Sequence, residues 1–261
     1  MARFGRVVTA MVTPFDAEGR LDLDGAATLA RWLVAQGNEG LVVAGTTGES
    51  PTLTHDEQIE LVRTVAEAVP VPVIAGAGSN DTSAAVELTT RATEAGAAAI
   101  LSVTPYYNRP SQAGLLAHFR AVAAATDLPV VLYDIPVRTG RKVSTETLLE
   151  LAEVPNVVAL KDAAGNPAET ARFTAHAPEG FEVYSGDDAL TLPLLAVGAV
   201  GVIGVATHWA AGETAAMIDA FLRGDVARAR ALNAALIPSW DFESGDANPN
   251  PIPTKAMLKV L

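Results

Sequence analysis

Residues 99–133 read AILSVTPYYNRPSQAGLLAHFRAVAAATDLPVVLY. The stretch opens with an apolar run of strand length, 99–103. A turn rich in Pro and Asn follows, and then a segment, 111–126, with Leu115, Phe119 and Val122 at helical spacing. It closes with a second apolar run, 130–133. Neither run alternates apolar with polar residues, which is the pattern of strands covered on both faces. Strand, helix and strand in this order make a crossover between parallel neighbours.

The same unit recurs along the chain. Apolar runs of strand length fall at 7–13, 41–44, 71–75, 99–103, 130–133, 157–161, 181–185 and 201–205. Helical spacing fills 21–36, 54–69, 81–95, 111–126, 144–153, 167–177, 188–197 and 210–222. Thr54 with Glu57 forms a capping-box pattern, and Ser144 with Thr147 a weaker one. Gly37, Gly96, Gly198 and Gly224 follow helical segments, where a left-handed residue ends a helix. Eight such units predict a (β/α)8 TIM barrel over residues 1–224, with an open doubly wound sheet as the alternative. Residues 225–261 read as a short C-terminal helical extension: a helix at 225–240, a polar loop at 241–250 and a helix start at 253–261.

Composition narrows the function. Lys+Arg 18 against Asp+Glu 30 gives a net charge of −12, which disfavours a nucleic-acid partner. Hydrophobic residues at 49% against charged residues at 18% exclude a disordered chain. With Cys 0 there are no disulfides, no thiolate chemistry and no Cys-ligated metal. No apolar stretch reaches the roughly 18 uninterrupted residues of a membrane span. Residues 1–13 read as a strand and not a signal peptide, so a cytoplasmic protein without a membrane partner is expected.

In such a barrel the chemistry sits where strands end. The run 157–160 leads straight into Lys161, the one lysine of four that closes an apolar strand; Lys142, Lys255 and Lys259 lie in polar or terminal stretches. Burial there would lower the amine's pKa and free it as a nucleophile toward a carbonyl. The alternative is a structural lysine paired with Asp162 or Asp187. After the neighbouring strand come Tyr133, able to relay a proton, and Arg138, able to hold a carboxylate through two hydrogen bonds. Gly45-Thr46-Thr47-Gly48 offers amides and hydroxyls for a small carboxylate. Phosphate-binding, dinucleotide-binding and serine-hydrolase motifs are missing. His55, His118, His176 and His208 lack ligand spacing and read as capping or surface residues, so no metal is expected. Asp187 and Asp188 read as helix-start residues serving the cap and the dipole.

Taken together, 45-Gly-Thr-Thr-Gly-Glu-Ser-50, 104-Thr-Pro-Tyr-Tyr-Asn-Arg-Pro-110, Tyr133-x-x-Pro136-x-Arg138-Thr139-Gly140, Leu160-Lys161-Asp162 and 184-Tyr-Ser-Gly-Asp-Asp-188 resemble the dihydrodipicolinate synthase/N-acetylneuraminate lyase family, in order and over essentially the whole chain. The resemblance implies a class I pyruvate aldolase-type barrel without cofactor. Lys161 would form an imine with pyruvate, and Tyr133 would shuttle protons. Thr46 would link Tyr133 to Tyr107, the latter supplied by a neighbouring subunit of a homotetramer built as a dimer of dimers. Thr47 would bind the pyruvate carboxylate, with the backbone around Gly186 and Ile203 closing the pocket. Arg138 would hold the carboxylate of L-aspartate 4-semialdehyde, on the route to diaminopimelate and lysine. Sister enzymes apply the same lysine and tyrosine to sialate or 2-keto-3-deoxy sugar acids; Arg138 and the Tyr106-Tyr107 pair favour the synthase branch.

Two departures from the family pattern stand out. Family members run on past the residue matching Leu261, which implies a truncated C-terminal segment here. Ser50, His55, Asn80 and Tyr106 match positions lining the lysine-inhibition site of the family, but the acidic residue there is replaced by Ala84, so weak or absent lysine inhibition is expected.

Overall fold

The computed structural model describes residues 2–243, 245 and 247–261. Eight strands form a closed parallel barrel in chain order: β1 (Val7–Ala10), β2 (Gly40–Val43), β3 (Val73–Gly76), β4 (Ala99–Val103), β5 (Val130–Asp134), β6 (Val157–Asp162), β7 (Glu182–Ser185) and β8 (Gly201–Gly204). Closure comes from β1 pairing with β8, Val8 opposite Ile203, which removes the open-sheet alternative. Around the barrel lie α1 (Leu23–Ala35), α2 (His55–Ala68), α3 (Thr82–Glu94), α4 (Gln112–Ala124), the short α5 (Pro136–Thr139), α6 (Thr145–Ala152), α7 (Pro167–Thr174), α8 (Thr191–Leu195) and α9 (Thr207–Leu222). Then come α10 (Val226–Glu243) and α11 (Ile252–Leu258).

The helix starts follow the capping chemistry. The Thr54 hydroxyl accepts from the Glu57 amide at 3.2 Å, and the Glu57 carboxylate accepts from the Thr54 amide at 2.7 Å, completing the box. Ser144 accepts from Thr147 N–H at 3.3 Å. Gly96 and Gly198 take φ of +92° and +106°, the left-handed turn that stops a helix.

Burial divides into layers. One cluster, with Leu41, Ile100, Leu132 and Leu160, packs the outer strand faces against the helices. A second, with Val42, Ile74, Leu101, Tyr133, Tyr184 and Ile203, fills the barrel interior. A third seats α9 and α10 against β8 through Val202, Met217, Leu236 and Trp240. Both faces of each strand are therefore desolvated, which is why the runs are continuously apolar.

Several boundaries differ from the sequence reading. Strand β1 ends at Ala10, three residues before the expected end. Segment 188–197 splits into a 3-10 turn (Asp188–Leu190) and α8. Helix α5 occupies what reads as a loop after β5. Helix α10 runs to Glu243 and not Trp240, because Leu236, Trp240 and Glu243 share one buried face at i, i+4 and i+7. Of the polar loop expected at 241–250, Ser244 and Asp246 lie outside the described residues. Among the described residues no helix is long and apolar enough to cross a membrane.

Candidate active site

Strand β6 carries Lys161 at its C-terminal end, in register with Tyr133 on β5 and Tyr184 on β7. The side chain is 5% exposed, and its Nζ lies 4.4 Å from the centre of the Tyr133 ring. Burial lowers the Lys161 pKa to about 8; negative charge on the Asp188 and Glu243 carboxyl pair pulls it back up, and Arg138 pushes it down. Neither acid of the structural alternative pairs with it among the described residues. Asp162 accepts from Thr170 Oγ1 at 2.6 Å and from Ala164 N–H at 2.9 Å, and Asp187 caps the 3-10 turn through Ala189 N–H at 3.0 Å. The lysine is thus a buried amine whose free form is accessible near neutral pH.

Gly186 makes the room. A Cβ there would stand 3.0 Å from Lys161 Cγ and 3.1 Å from its Cε, so a side chain would crowd the amine's stem. Gly186 N–H donates to Asp162 O at 2.7 Å, fixing the strand ends together. Ile203 is fully buried in the barrel interior beside Tyr133 and Ala159.

Tyr133, Thr46 and Arg138 line one cavity of about 190 Å³, together with Gly45, Tyr106 and Val103. Burial pushes the Tyr133 phenol up to about 12, with Arg138 and the Thr46 side chain acting in the opposite direction. At neutral pH the phenol is therefore a proton donor and acceptor and carries no charge. A larger cleft of about 810 Å³ opens between α1 and α11 and holds none of these groups.

The loops are tied by contacts that spacing does not reveal. Thr47 is buried, and its hydroxyl accepts from Asn250 Nδ2 at 2.9 Å. The Asn250 carbonyl accepts from Arg138 at 3.5 Å, and its side-chain oxygen from Thr254 Oγ1 at 3.1 Å. One asparagine before α11 thus links both expected carboxylate-binding residues. Lys255 on α11 pairs with Glu49 of the Thr46-Thr47 loop. Lys142, which lies in a polar stretch of the sequence, donates to Asp134 Oδ2 at 2.7 Å and so clips the segment bearing Arg138 back onto β5.

The eight expected residues do not all converge. Lys161, Tyr133, Thr46, Thr47, Arg138, Gly186 and Ile203 gather at the C-terminal ends of the strands. Tyr107 stands apart at 88% exposed, with φ +72°, so this one chain leaves the relay open at that position. Two histidines depart from the sequence reading. His208 is fully buried, accepting Val12 N–H on Nε2 at 3.2 Å and contacting Val205 O through Nδ1 at 2.7 Å. His118 is 4% exposed and shares a 2.9 Å bond with Thr82. Asp188 does open the 3-10 turn that Asp187 caps, and it is also buried, accepting from Val205 N–H at 2.7 Å. Glu243 and Asn250 carried no functional expectation. The signals for them are the i, i+4, i+7 face of α10 and the Asn250-Pro251-Ile252-Pro253 motif.

Comparison with known proteins agrees with this geometry. The profile of the dihydrodipicolinate synthetase family matches residues 3–261. The 4-hydroxy-tetrahydrodipicolinate synthase of Moorella thermoacetica is 52% identical, covering 99% of this chain and 89% of its own length. That of Acidothermus cellulolyticus is 58% identical over 91% of this chain and 77% of its own. The crystal structure of dihydrodipicolinate synthase DapA-2 from Bacillus anthracis superposes with a TM-score of 0.95 at 45% identity, covering 100% of this chain and 89% of that one.

Proposed function

The chain belongs to the dihydrodipicolinate synthetase family, and from that premise we propose that it condenses pyruvate with L-aspartate 4-semialdehyde to 4-hydroxy-tetrahydrodipicolinate, as a Schiff-base lyase serving diaminopimelate and lysine synthesis. The observation that carries this reading is Lys161: a buried amine at a strand end, its pKa near 8, beside a protonated phenol and without an ion-pair partner in Asp162 or Asp187.

The Lys161 amine attacks the keto carbon of pyruvate, and loss of water leaves a protonated imine. Tyr133 supplies and removes protons at the oxygen that leaves. The imine withdraws electrons from the adjacent methyl, which loses a proton to give an enamine. That carbon attacks the aldehyde, whose oxygen becomes a hydroxyl. The amino group of the same substrate then displaces Lys161 from the imine carbon, closing the ring and regenerating the amine. The balance is one water released per condensation. Thr47 and its neighbouring amides hold the pyruvate carboxylate, with Gly186 and Ile203 shaping the floor. Arg138, held by Asn250, meets the carboxylate of the second substrate.

Tyr107 completes the relay through Thr46 in a second copy of the chain, which accounts for its exposure in one copy. A homotetramer built as a dimer of dimers fits this sharing. Ala84, in the first turn of α3, leaves the lysine site without its acidic residue, so lysine inhibits weakly or not at all; half-inhibition at low lysine concentration would refute that.

The test is to incubate the protein with pyruvate, reduce with borohydride and locate the adduct by peptide mass spectrometry. A pyruvyl adduct on Lys161, with turnover on aspartate semialdehyde and none on sialate or keto-deoxy sugar acids, is expected. No adduct on folded protein would sink the imine mechanism. Turnover on the sugar acids alone would move the protein to the lyase branch.

A further inference from the structure

Two carboxyl groups close to Lys161 play no part in the scheme above. Asp188 comes from the 3-10 turn after β7, and Glu243 from the last turn of α10. They are 3% and 6% exposed. Asp188 Oδ2 accepts from Val205 N–H at 2.7 Å, but its Oδ1 is buried without any N–H or O–H donor, and so is Glu243 Oε2. Helix α10 packs on that 3-10 turn, which brings the two side chains into hydrogen-bonding contact. A Cβ on Gly204 would collide with Asp188 Oδ1, so the β8 backbone is cut back where the pair is seated.

An ionised carboxylate is an acceptor only. Two of them in contact, each with a bare buried oxygen, would be repelled and desolvated together. One proton removes both difficulties, because the acid O–H donates to the facing carboxylate. Burial first, and then the charge of Asp188, pushes the Glu243 carboxyl far above the usual range. Asp188 has the Val205 amide at 2.7 Å to hold its charge, whereas the Ala206 amide lowers the Glu243 carboxyl less than burial and the neighbouring acids raise it. Glu243 is therefore the acid and Asp188 the carboxylate. The other charged groups around the pair are Lys161 from β6, Asp187 from the same turn, and Arg138, which bears on Lys161 from α5.

We propose that Asp188 and Glu243 share a single proton and present one negative charge to Lys161. They are positioning residues that act through the lysine, and the proposal rests on Lys161 being the imine-forming amine. Two charges would hold Lys161 as an inert ammonium. None would leave the protonated imine without a counter-charge in a closed pocket. One charge permits both states in turn.

The sharing has a specific signature. In Asp188→Asn the new amide donates to Glu243, which then ionises. In Glu243→Gln the amide donates to Asp188, which stays ionised. Each single variant keeps one carboxylate, and only the double variant Asp188→Asn/Glu243→Gln loses the charge. The measurement is the pH midpoint of borohydride trapping at saturating pyruvate, with thermal melts to confirm folding. The single variants should keep the wild-type midpoint within about 0.3 unit. The double variant should fall by about one unit, because the ammonium has lost its counter-charge. Infrared difference spectra against the double variant should show the carbonyl stretch of a protonated carboxylic acid in wild type at pH 8, and not in either single variant. A fall in each single variant would mean two independent charges and overturn the proposal. An unmoved double variant, or no acid carbonyl band, would also overturn it. If the double variant fails to fold, the single midpoints and the infrared band decide the matter alone. No adduct in wild type would instead strike the imine reading beneath it, and with it the counter-charge role.

Discussion

Tyr133 and Tyr184 flank Lys161 in the sheet, one on each side, and both are buried. Burial raises the phenol pKa of both above the ordinary value. Their partners separate them. The Tyr184 hydroxyl accepts from Phe4 N–H at 3.2 Å and donates to the Glu182 carboxylate at 2.8 Å, so its hydrogen bonds are committed to the N-terminal end of the barrel. The Tyr133 ring lies 4.4 Å from Lys161 Nζ, and its side chain lines the cavity with Thr46 and Arg138. A buried, perturbed tyrosine is therefore no mark of catalysis. What distinguishes the proposed relay tyrosine is a side chain that lines a cavity beside Thr46 and lies against an amine.

The largest break in this comparison comes from the amine itself. Lys161→Ala should lower turnover by about 10⁴-fold or more and abolish trapping, since no other lysine ends a strand. The pH dependence follows from the same group. Folding depresses its pKa from 10.5 to about 8, so between those values the unfolded chain binds the extra proton and stability rises with pH. Melting temperatures of wild type and Lys161→Met across that window would show the rise in wild type alone.

The tyrosines give the next contrast. Tyr133→Phe should cost about 10²- to 10³-fold in turnover with the fold intact. Tyr184→Phe should leave turnover within about threefold and lower stability by about 1–2 kcal/mol, because Phe4 N–H and Glu182 lose their partner. Parallel kinetics and denaturant melts check both. Equal kinetic losses would erase the distinction drawn above. Tyr107→Phe sharpens it further: turnover should fall about tenfold or more while pyruvate trapping persists, since its proposed part is proton relay. Unchanged turnover would remove Tyr107 from the relay.

The smallest effect is expected at His208. Burial lowers its pKa from 6.5 to about 4. As pH drops through that window the unfolded chain gains a proton that the folded chain refuses, so stability falls. His208→Gln should flatten the acid side of the melting curve without changing turnover at pH 8. A curve with the wild-type slope would reassign that acid sensitivity to the carboxyl groups.

Legibility in the sequence tracked distance along the chain. Lys161, Tyr133 and Arg138 could be read because each sits at or just after an apolar run, and a barrel puts every strand end on one face. Glu243 escaped notice because a helix end assigned at Trp240 leaves it in a polar loop. Asn250 escaped because its two partners, Thr47 and Arg138, are remote in sequence. His208 was misread because nothing local to it predicts complete burial; packing against β1 and the end of β8 does.

Local pattern by itself determined the eight strand-helix units, the helix caps and the strand-end lysine, because periodicity, capping and chain order are properties of neighbouring residues. Barrel closure between β1 and β8, the clip of Lys142 on Asp134, the asparagine that joins Thr47 to Arg138, and the carboxyl pair near Lys161 were decided only in three dimensions. Desolvation and hydrogen-bond partnership depend on which remote segments meet, and those two quantities set the charge state of every group around the amine.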